Sequence, residues 1–110
     1  MKTLYVNLDI NTVSDKIYTA VVEGSVTGEC LDKHILTTPQ GSVVVMVFEK
    51  HYWRAGNRLT LTATLDNTQG DKTRVRLVGS GGGEGLFRFD WGASESFEEV
   101  VVCALQPYTL

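Results

Sequence analysis

The sequence has few of the features that mark secreted, membrane-spanning or metal-binding proteins. Its 110 residues include only two cysteines, Cys30 and Cys103, and two histidines, with neither C-x-x-C nor H-x-x-x-H spacing. No metal site and no cofactor is therefore predicted. The longest apolar runs, residues 43–48 and 100–105, are far shorter than the about 20 residues that a membrane span needs.

A signal peptide is not expected either. Residues 1–10 include Lys2 and Asp9 and alternate in polarity, whereas a signal peptide has an unbroken apolar centre and a small-residue cleavage site. We therefore predict a cytoplasmic protein with two free thiols, because disulfides are rare in that compartment. A single disulfide between the two cysteines is the alternative that their number allows.

Length and charge limit the possible classes of protein. A chain of 110 residues with 43% hydrophobic and 21% charged residues is typical of one domain, and we predict a single domain over residues 1–110. Its net charge of −3 argues against nucleic acid as a partner, because nucleic-acid binding depends on positive charge.

The first half of the sequence predicts a strand followed by a helix. Residues 4–10 alternate between apolar and polar side chains, which indicates a strand. Apolar residues then follow helical spacing over residues 13–23. Thr12 with Asp15 resembles a capping box, and Gly24 or Gly28 can end the helix.

Four further strands are predicted over residues 29–38, 43–51, 59–66 and 73–78, because turn residues separate runs of alternating or apolar character. Gly41 is expected to accept a positive φ in the turn after Pro39. A short sixth strand is predicted over residues 87–91. The last helix begins with Ser94 as its N-cap, presents an apolar stripe to the core, and ends at Pro107.

This order of elements predicts a two-layer α+β domain, with a mostly antiparallel sheet and two helices on one of its faces. It resembles the helix-grip arrangement of TATA-binding-protein-like and START-like domains. The resemblance concerns the order of elements only, and a shared fold does not determine function.

The C-terminal half of the chain has a distinctive pattern of glycines and aromatic residues, formed by Gly79, Ser80, Gly81, Gly82, Gly83, Gly85, Phe87, Phe89, Trp91, Gly92, Ala93, Glu95, Ser96 and Phe97. A central segment contains Phe48, Glu49, Lys50, Tyr52, Arg54, Asn57 and Arg58. The first pattern resembles the C-terminal signature of a small family of proteins of unknown function, of about this length, from Gram-positive bacteria, and the second is similar to the central segment of that family. The resemblance implies a single cytoplasmic domain and no established activity.

The glycine cluster at residues 79–85 is a candidate anion-binding loop, because glycines let backbone N–H groups point together. The candidate ligands are Gly79, Ser80, Gly81, Gly82, Gly83 and Gly85. No lysine follows as in a P-loop, and the predicted helix begins too far along the chain to place its dipole on the loop. The alternative is a turn or bulge where the chain leaves the sheet.

All five arginines lie between positions 54 and 88, and the segment from Lys50 to Arg76 has six basic and two acidic residues, a net +4. Arg74 and Arg76 share one face of a strand, and the face carrying Thr60, Thr62 and Thr64 can lie beside them. These two arginines, with Arg54 and Arg58, could hold a small anionic ligand. The alternative is a solvated polar face.

Residues 43–48 are apolar on both faces of the predicted strand. The two helices cover one face of the sheet, so the apolar side chains on the opposite face must be covered by something else. Val44, Met46 and Phe48, with Tyr52 and Trp53 nearby, are therefore candidate interaction residues. A second copy of the chain, a small ligand or residues 87–91 could cover that face. Tyr52 or Trp53 could instead fill the edge of the core.

No catalytic constellation is visible, and we predict that the protein is not an enzyme. His51 has no matching nucleophile, although an enzyme using His51 with Glu49 or Asp90 is a third possibility. The leading hypothesis is a binding or interaction module that self-associates through its sheet. The alternative is a domain that binds a small anionic or phosphorylated ligand at the glycines and arginines.

Overall fold

The computed structural model describes residues 1–25, 27–52, 57–80 and 93–110. Within these residues, five strands and two α-helices follow one another along the chain in the order β1 (Lys2–Val6), α1 (Ile10–Tyr18), β2 (Glu29–Thr38), β3 (Gly41–Tyr52), β4 (Asn57–Asp66), β5 (Thr73–Ser80) and α2 (Ala93–Leu105). The strands form one sheet in the order β1-β5-β4-β3-β2, and every neighbouring pair is antiparallel. The predicted α+β class is confirmed. The predicted strand at residues 87–91 lies outside the described residues.

The first helix begins earlier than its sequence pattern predicts, because Asp9 and not Thr12 is its N-cap. The Asp9 carboxylate accepts hydrogen bonds from the Thr12 backbone N–H at 3.1 Å and from the Thr12 hydroxyl at 2.5 Å, which satisfies a free donor of the first turn. The first strand is correspondingly shorter and ends at Val6. After Tyr18 the helix continues as a π-helical turn, Thr19–Glu23.

The second helix also differs from its prediction at the start. It begins at Ala93, one residue before the predicted N-cap position Ser94. Phe97, Val101 and Leu105 are buried as the apolar stripe predicts. A 3₁₀ turn, Gln106–Tyr108, follows the helix and contains Pro107, which agrees with the predicted end.

The core lies between the helices and the inner face of the sheet. Apolar side chains alternate along β3, β4 and β5, and every second one points towards the helices. The buried residues of these strands are Val44, Met46, Phe48, Leu59, Leu61, Ala63, Leu65, Val75 and Leu77. The buried Ser14 hydroxyl of α1 donates to the Met46 sulfur at 3.5 Å.

Val44, Met46 and Phe48 are therefore core residues, and their expected place on an exposed interaction surface is wrong. Phe48 and Met46 have no exposed surface, and only 2% of Val44 is exposed. The alternation of β3 instead points Val43, Val45 and Val47 to the other face of the sheet, where they are half-buried. The prediction of a strand that is apolar on both faces is correct, but the candidate residues belong to its inner face.

The turn between β2 and β3 requires glycine at position 41. Gly41 has a φ of +148°, and a side chain there would collide with Asn67. The Asn67 side-chain oxygen accepts the Ser42 N–H at 2.7 Å. The predicted positive φ at Gly41 is confirmed, and the close approach of the chain after β4 adds a second reason for glycine.

The two edges of the sheet are not equivalent. Backbone hydrogen bonds join β1 and its flank to the C-terminal residues: Asn7 N–H donates to the Tyr108 carbonyl and Leu110 N–H to the Tyr5 carbonyl, both at 2.8 Å. In the described part of the chain, β2 has a strand partner on one side only, and nearly all of its residues are exposed. Among the described helices, none is long and apolar enough to cross a membrane.

Candidate functional site

The outer face of the sheet, opposite the helices, has an apolar half and a polar half. Val43, Val45 and Val47 of β3 form a row along the strand, and Leu36 of β2 lies directly opposite Val43. We call these four residues the valine stripe. The polar half lies over β4, β5 and β1 and contains a cavity of about 370 Å³. We call it the polar pocket, lined by Thr3, Tyr5, Thr64, Asp66, Arg74 and Arg76.

The register of the sheet assembles the polar pocket from two rows of residues. In one row Arg76 of β5 pairs with Thr3 of β1 on one side and Thr64 of β4 on the other. In the next row Arg74 pairs with Tyr5 and with Asp66 in the same way. Of the three β4 threonines predicted near the two arginines, Thr64 thus lies beside Arg76, whereas Thr62 and Thr60 pair with Val78 and Ser80.

Asp66 is held in place by its neighbours. One carboxylate oxygen accepts Arg74 Nε–H at 2.8 Å, and the other accepts the Thr68 hydroxyl at 2.8 Å and the Thr68 N–H at 3.3 Å. Burial raises the pKa of Asp66, but the hydrogen bonds from Arg74 and Thr68 together outweigh it, so the pKa lies below its ordinary value of 3.8. The carboxylate is charged at neutral pH and balances Arg74.

This depressed pKa predicts how stability changes with acidity. A carboxylate with a lower pKa in the folded than in the unfolded chain stabilises the fold above its unfolded pKa, and the stabilisation is lost as pH falls through the folded pKa. The free energy of unfolding of wild type should exceed that of Asp66→Asn by a constant amount above about pH 5, and the difference should shrink below the ordinary pKa. Urea unfolding of both proteins across this range measures it. A difference independent of pH would contradict the assignment.

Arg76 differs from Arg74 because it forms no ion pair with the carboxylate of the pocket, Asp66. Its side chain is exposed, and within the described residues its hydrogen-bond partner is the Met1 sulfur, 3.0 Å from Nη2. A thioether is a weak, uncharged acceptor. Arg76 therefore presents a positive charge to the pocket.

The other predicted ligand arginines do not join Arg74 and Arg76. Arg58 forms an ion pair with Glu49 and is 70% exposed. It is the second residue of the strand that Asp66 ends, so the two lie about 27 Å apart at the usual rise per residue. Arg54 lies outside the described residues. Among the described arginines, Arg74 and Arg76 therefore share one pocket, and Arg58 does not join them.

Only the first two residues of the predicted glycine loop are described. Gly79 and Ser80 are the last residues of β5, and the Gly79 N–H donates to a carboxylate oxygen of Glu98 at 2.8 Å. That donor is therefore already engaged within the protein. Gly81, Gly82, Gly83 and Gly85 lie outside the described residues, and their anion-binding role stays a prediction.

The predicted aromatic recognition surface is described only in part. Tyr52 is the last residue of β3, and Trp53 lies outside the described residues. His51 is half-buried, and its backbone N–H and carbonyl both bond the Thr27 hydroxyl, at 3.3 and 3.2 Å. These contacts hold the segment before β2 to the end of β3. They do not test the recognition role, which stays a prediction.

Three members of the polar pocket were missed by sequence reasoning. Thr3, Tyr5 and Asp66 have ordinary places in alternating strands, and alternation alone assigns Thr3 and Tyr5 to one face. Asp66 reaches Arg74 through the pairing of the neighbouring strands β4 and β5. Thr3 and Tyr5 depend on β1 pairing with β5, which joins residues 2–6 to residues 73–77. No local pattern contains that pairing.

A second cavity, of about 520 Å³, lies between the helices and is lined by Thr12, Asp15, Lys16, Thr19, Ala20 and Ala104. It is wide and open to solvent. Its two charged residues are of opposite sign, and Lys16 Nζ lies over the Tyr108 ring at 4.7 Å from the centroid. The cavity therefore has neither a net charge nor a convergent set of donors.

Comparison with known proteins gives a family but no function. Searches of curated proteins and of solved structures found no match to the chain. The model of a family of unknown function, DUF6054, matches residues 2–109. This confirms the expected membership of a family of unknown function, whereas the Gram-positive origin and the glycine-rich signature stay predictions. Because the match spans nearly the whole chain, the protein belongs to the DUF6054 family.

Proposed function

We propose that this protein is a non-enzymatic interaction module that self-associates through the outer face of its sheet. The observation that supports the proposal is the valine stripe. Leu36 is 48% exposed, and Val78 of β5, which lies across Thr62 from Val47, is 43% exposed. Exposed apolar surface in a connected patch is typical of an interaction site, since burying it is favourable.

A second copy of the chain is the partner that we favour. A symmetric dimer places the same patch of both subunits in contact, so an apolar row can be buried against itself. The stripe has polar neighbours on both sides, Asp32 and His34 on β2 and Thr62 and Thr64 on β4. An apolar centre with a polar rim is the usual organisation of a protein interface.

The exposed edge of β2 is a less suitable contact. Its register with β3 shifts between Cys30 and Asp32, and Lys33 lies at its centre. Bulges and lysines on edge strands oppose the pairing of one sheet edge with another. The proposal therefore concerns the face of the sheet and not its edge.

The absence of enzymatic activity and the cytoplasmic location are parts of the same proposal. The Asp66 carboxylate, the carboxylate in the polar pocket, is engaged by Arg74 and Thr68 and has a lowered pKa, which is unsuited to general acid–base work near neutral pH. Cys30 and Cys103 are both free thiols, as is usual in a reducing compartment. Cell fractionation tests the location.

Sedimentation analysis at micromolar concentration tests the self-association. We expect wild type to be a dimer and Val45→Lys to be a monomer, because a charge at the centre of the stripe would be buried without a partner. Leu36→Lys, at a more exposed position, should have the same effect. The matched control is Tyr18→Lys, which removes an exposed side chain from α1 (42% exposed) on the other side of the molecule.

A monomeric wild type would contradict the proposal. So would a dimer that Tyr18→Lys disrupts as strongly as Val45→Lys does. Circular dichroism of each variant confirms that it is folded before its mass is interpreted.

The alternative of a small anionic ligand held by the glycine loop and nearby arginines has less support. Arg58 is paired with Glu49 near the other end of the sheet. Among the candidate arginines that the structure describes, Arg74 and Arg76 are the two that line one pocket.

A further inference from the structure

We infer that the polar pocket binds a small molecule through one anionic group, a carboxylate or a phosphate, with Arg76 as its principal contact. This inference does not rest on self-association, because no residue of the valine stripe lines the polar pocket, although Thr64 and Asp66 of the pocket lie directly beside Val45 and Val43. It also differs from a glycine-loop site, because every residue that it needs lies on β1, β4 or β5.

The charge of the pocket favours an anion. Arg74 and Arg76 contribute two positive charges, and Asp66 contributes one negative charge. Asp66 is turned to Arg74 and Thr68, which use both of its oxygens. It therefore compensates Arg74 and leaves the charge of Arg76 without compensation from within the pocket. A guanidinium recognises carboxylate and phosphate groups with two parallel hydrogen bonds.

Hydroxyl groups flank Arg76 on both sides. Thr3 and Thr64 are its direct neighbours across the sheet, and adjacent strands lie about 5 Å apart. An anion held above Arg76 is thus within reach of two side-chain hydroxyls as well as the guanidinium. The Tyr5 hydroxyl is in the next row, beside Arg74, and offers a further donor to the rest of the ligand.

The size of the pocket indicates a small ligand. Its volume of about 370 Å³ lies near the lower end of the range of about 300–1,000 Å³ that is usual for small-molecule sites. The pocket combines a convergent set of polar groups with this volume. The cavity between the helices is larger but lacks such a set.

Titration followed by the backbone amide signals of the ¹⁵N-labelled protein tests the inference. The probes are sodium phosphate and sodium acetate, each compared with sodium chloride at equal ionic strength. We expect at least one of the two anions to cause saturable shifts at Thr3, Thr64 and Arg76, and chloride to cause none. Which of them saturates distinguishes a phosphate site from a carboxylate site. Saturation by neither would overturn the inference.

Three variants locate the site. Arg76→Gln should weaken binding by about tenfold or more, because it removes a charge-assisted pair. Asp66→Asn should strengthen binding, because it removes the negative charge of the pocket. The matched control is Arg58→Gln, which removes an exposed arginine from the far end of β4 and should leave affinity unchanged. Equal losses in Arg76→Gln and Arg58→Gln would overturn the inference, since they would indicate nonspecific attraction.

Discussion

Replacing Phe48 with alanine is expected to destabilise the protein by about 3–5 kcal/mol, because the change removes a fully buried aromatic ring and leaves a cavity. Phe48 is on the inner face of β3 with no exposed surface. In a domain of this size the loss corresponds to a fall in melting temperature of more than about 12 °C. Since whole domains are stable by only about 5–15 kcal/mol, the variant should be partly unfolded at moderate temperature.

The neighbouring residue of the same strand provides the control. Val47 is half-buried on the outer face, and Val47→Ala should cost about 1 kcal/mol or less when the chain is monomeric. Thermal unfolding of both variants at low protein concentration measures the contrast. If Phe48→Ala kept the stability of wild type and instead changed self-association, Phe48 would be a surface residue and the assignment of the two faces would be wrong.

The second large effect is expected at Glu98. Its side chain is buried in α2, where one oxygen accepts the Gly79 N–H at 2.8 Å and lies 3.2 Å from the amino group of Met1. Glu98→Ala leaves the Gly79 N–H without this acceptor and should cost about 2–3 kcal/mol. Glu98→Gln should cost clearly less, because the amide oxygen can still accept that hydrogen bond.

Glu99 is the matched control for this prediction. It is the next residue of α2, about half exposed, and its partner is Lys2 at 3.2 Å. Exposed ion pairs contribute little, so Glu99→Ala should change the free energy of unfolding by less than about 1 kcal/mol. Urea unfolding of the three variants gives the comparison. A loss in Glu98→Ala no greater than that in Glu99→Ala would show that the bond to Gly79 contributes nothing.

The position of Glu98 illustrates one limit of sequence reasoning. Its place among several acidic residues near the start of a helix suggests a solvated side chain that interacts with the helix dipole. The structure buries Glu98 next to Phe97, because this side of α2 meets the end of β5. Helical spacing predicts which residues share a face, but it does not predict which polar residue finds a buried partner on another element.

The polar pocket shows the same division. That Arg74 and Arg76 share one face follows from alternation along a strand, and the proximity of Thr64 follows from the pairing of two strands that are consecutive in the chain. The contributions of Thr3 and Tyr5 do not follow, because β1 pairs with β5, a strand far from it in the sequence. Such contacts depend on how all the strands are ordered in the sheet.

The sequence by itself determined the elements that local chemistry controls. Turn residues on either side of a run of mixed polarity identified β2 at its observed bounds, and the apolar stripe identified the inner side of α2. The turn at Gly41 required a residue that tolerates positive φ. Each of these depends on residues a few positions apart, where sterics and periodicity suffice.

Only the tertiary structure decided which face of β3 is buried. Both faces are apolar, so the pattern of residues 43–48 is compatible with either arrangement. The helices pack on Met46 and Phe48, and Val45 and Val47 are left on the outer face. The choice between the faces depends on where α1 and α2 can bury their own apolar sides against the sheet, and that is a property of the packed layers and not of the strand.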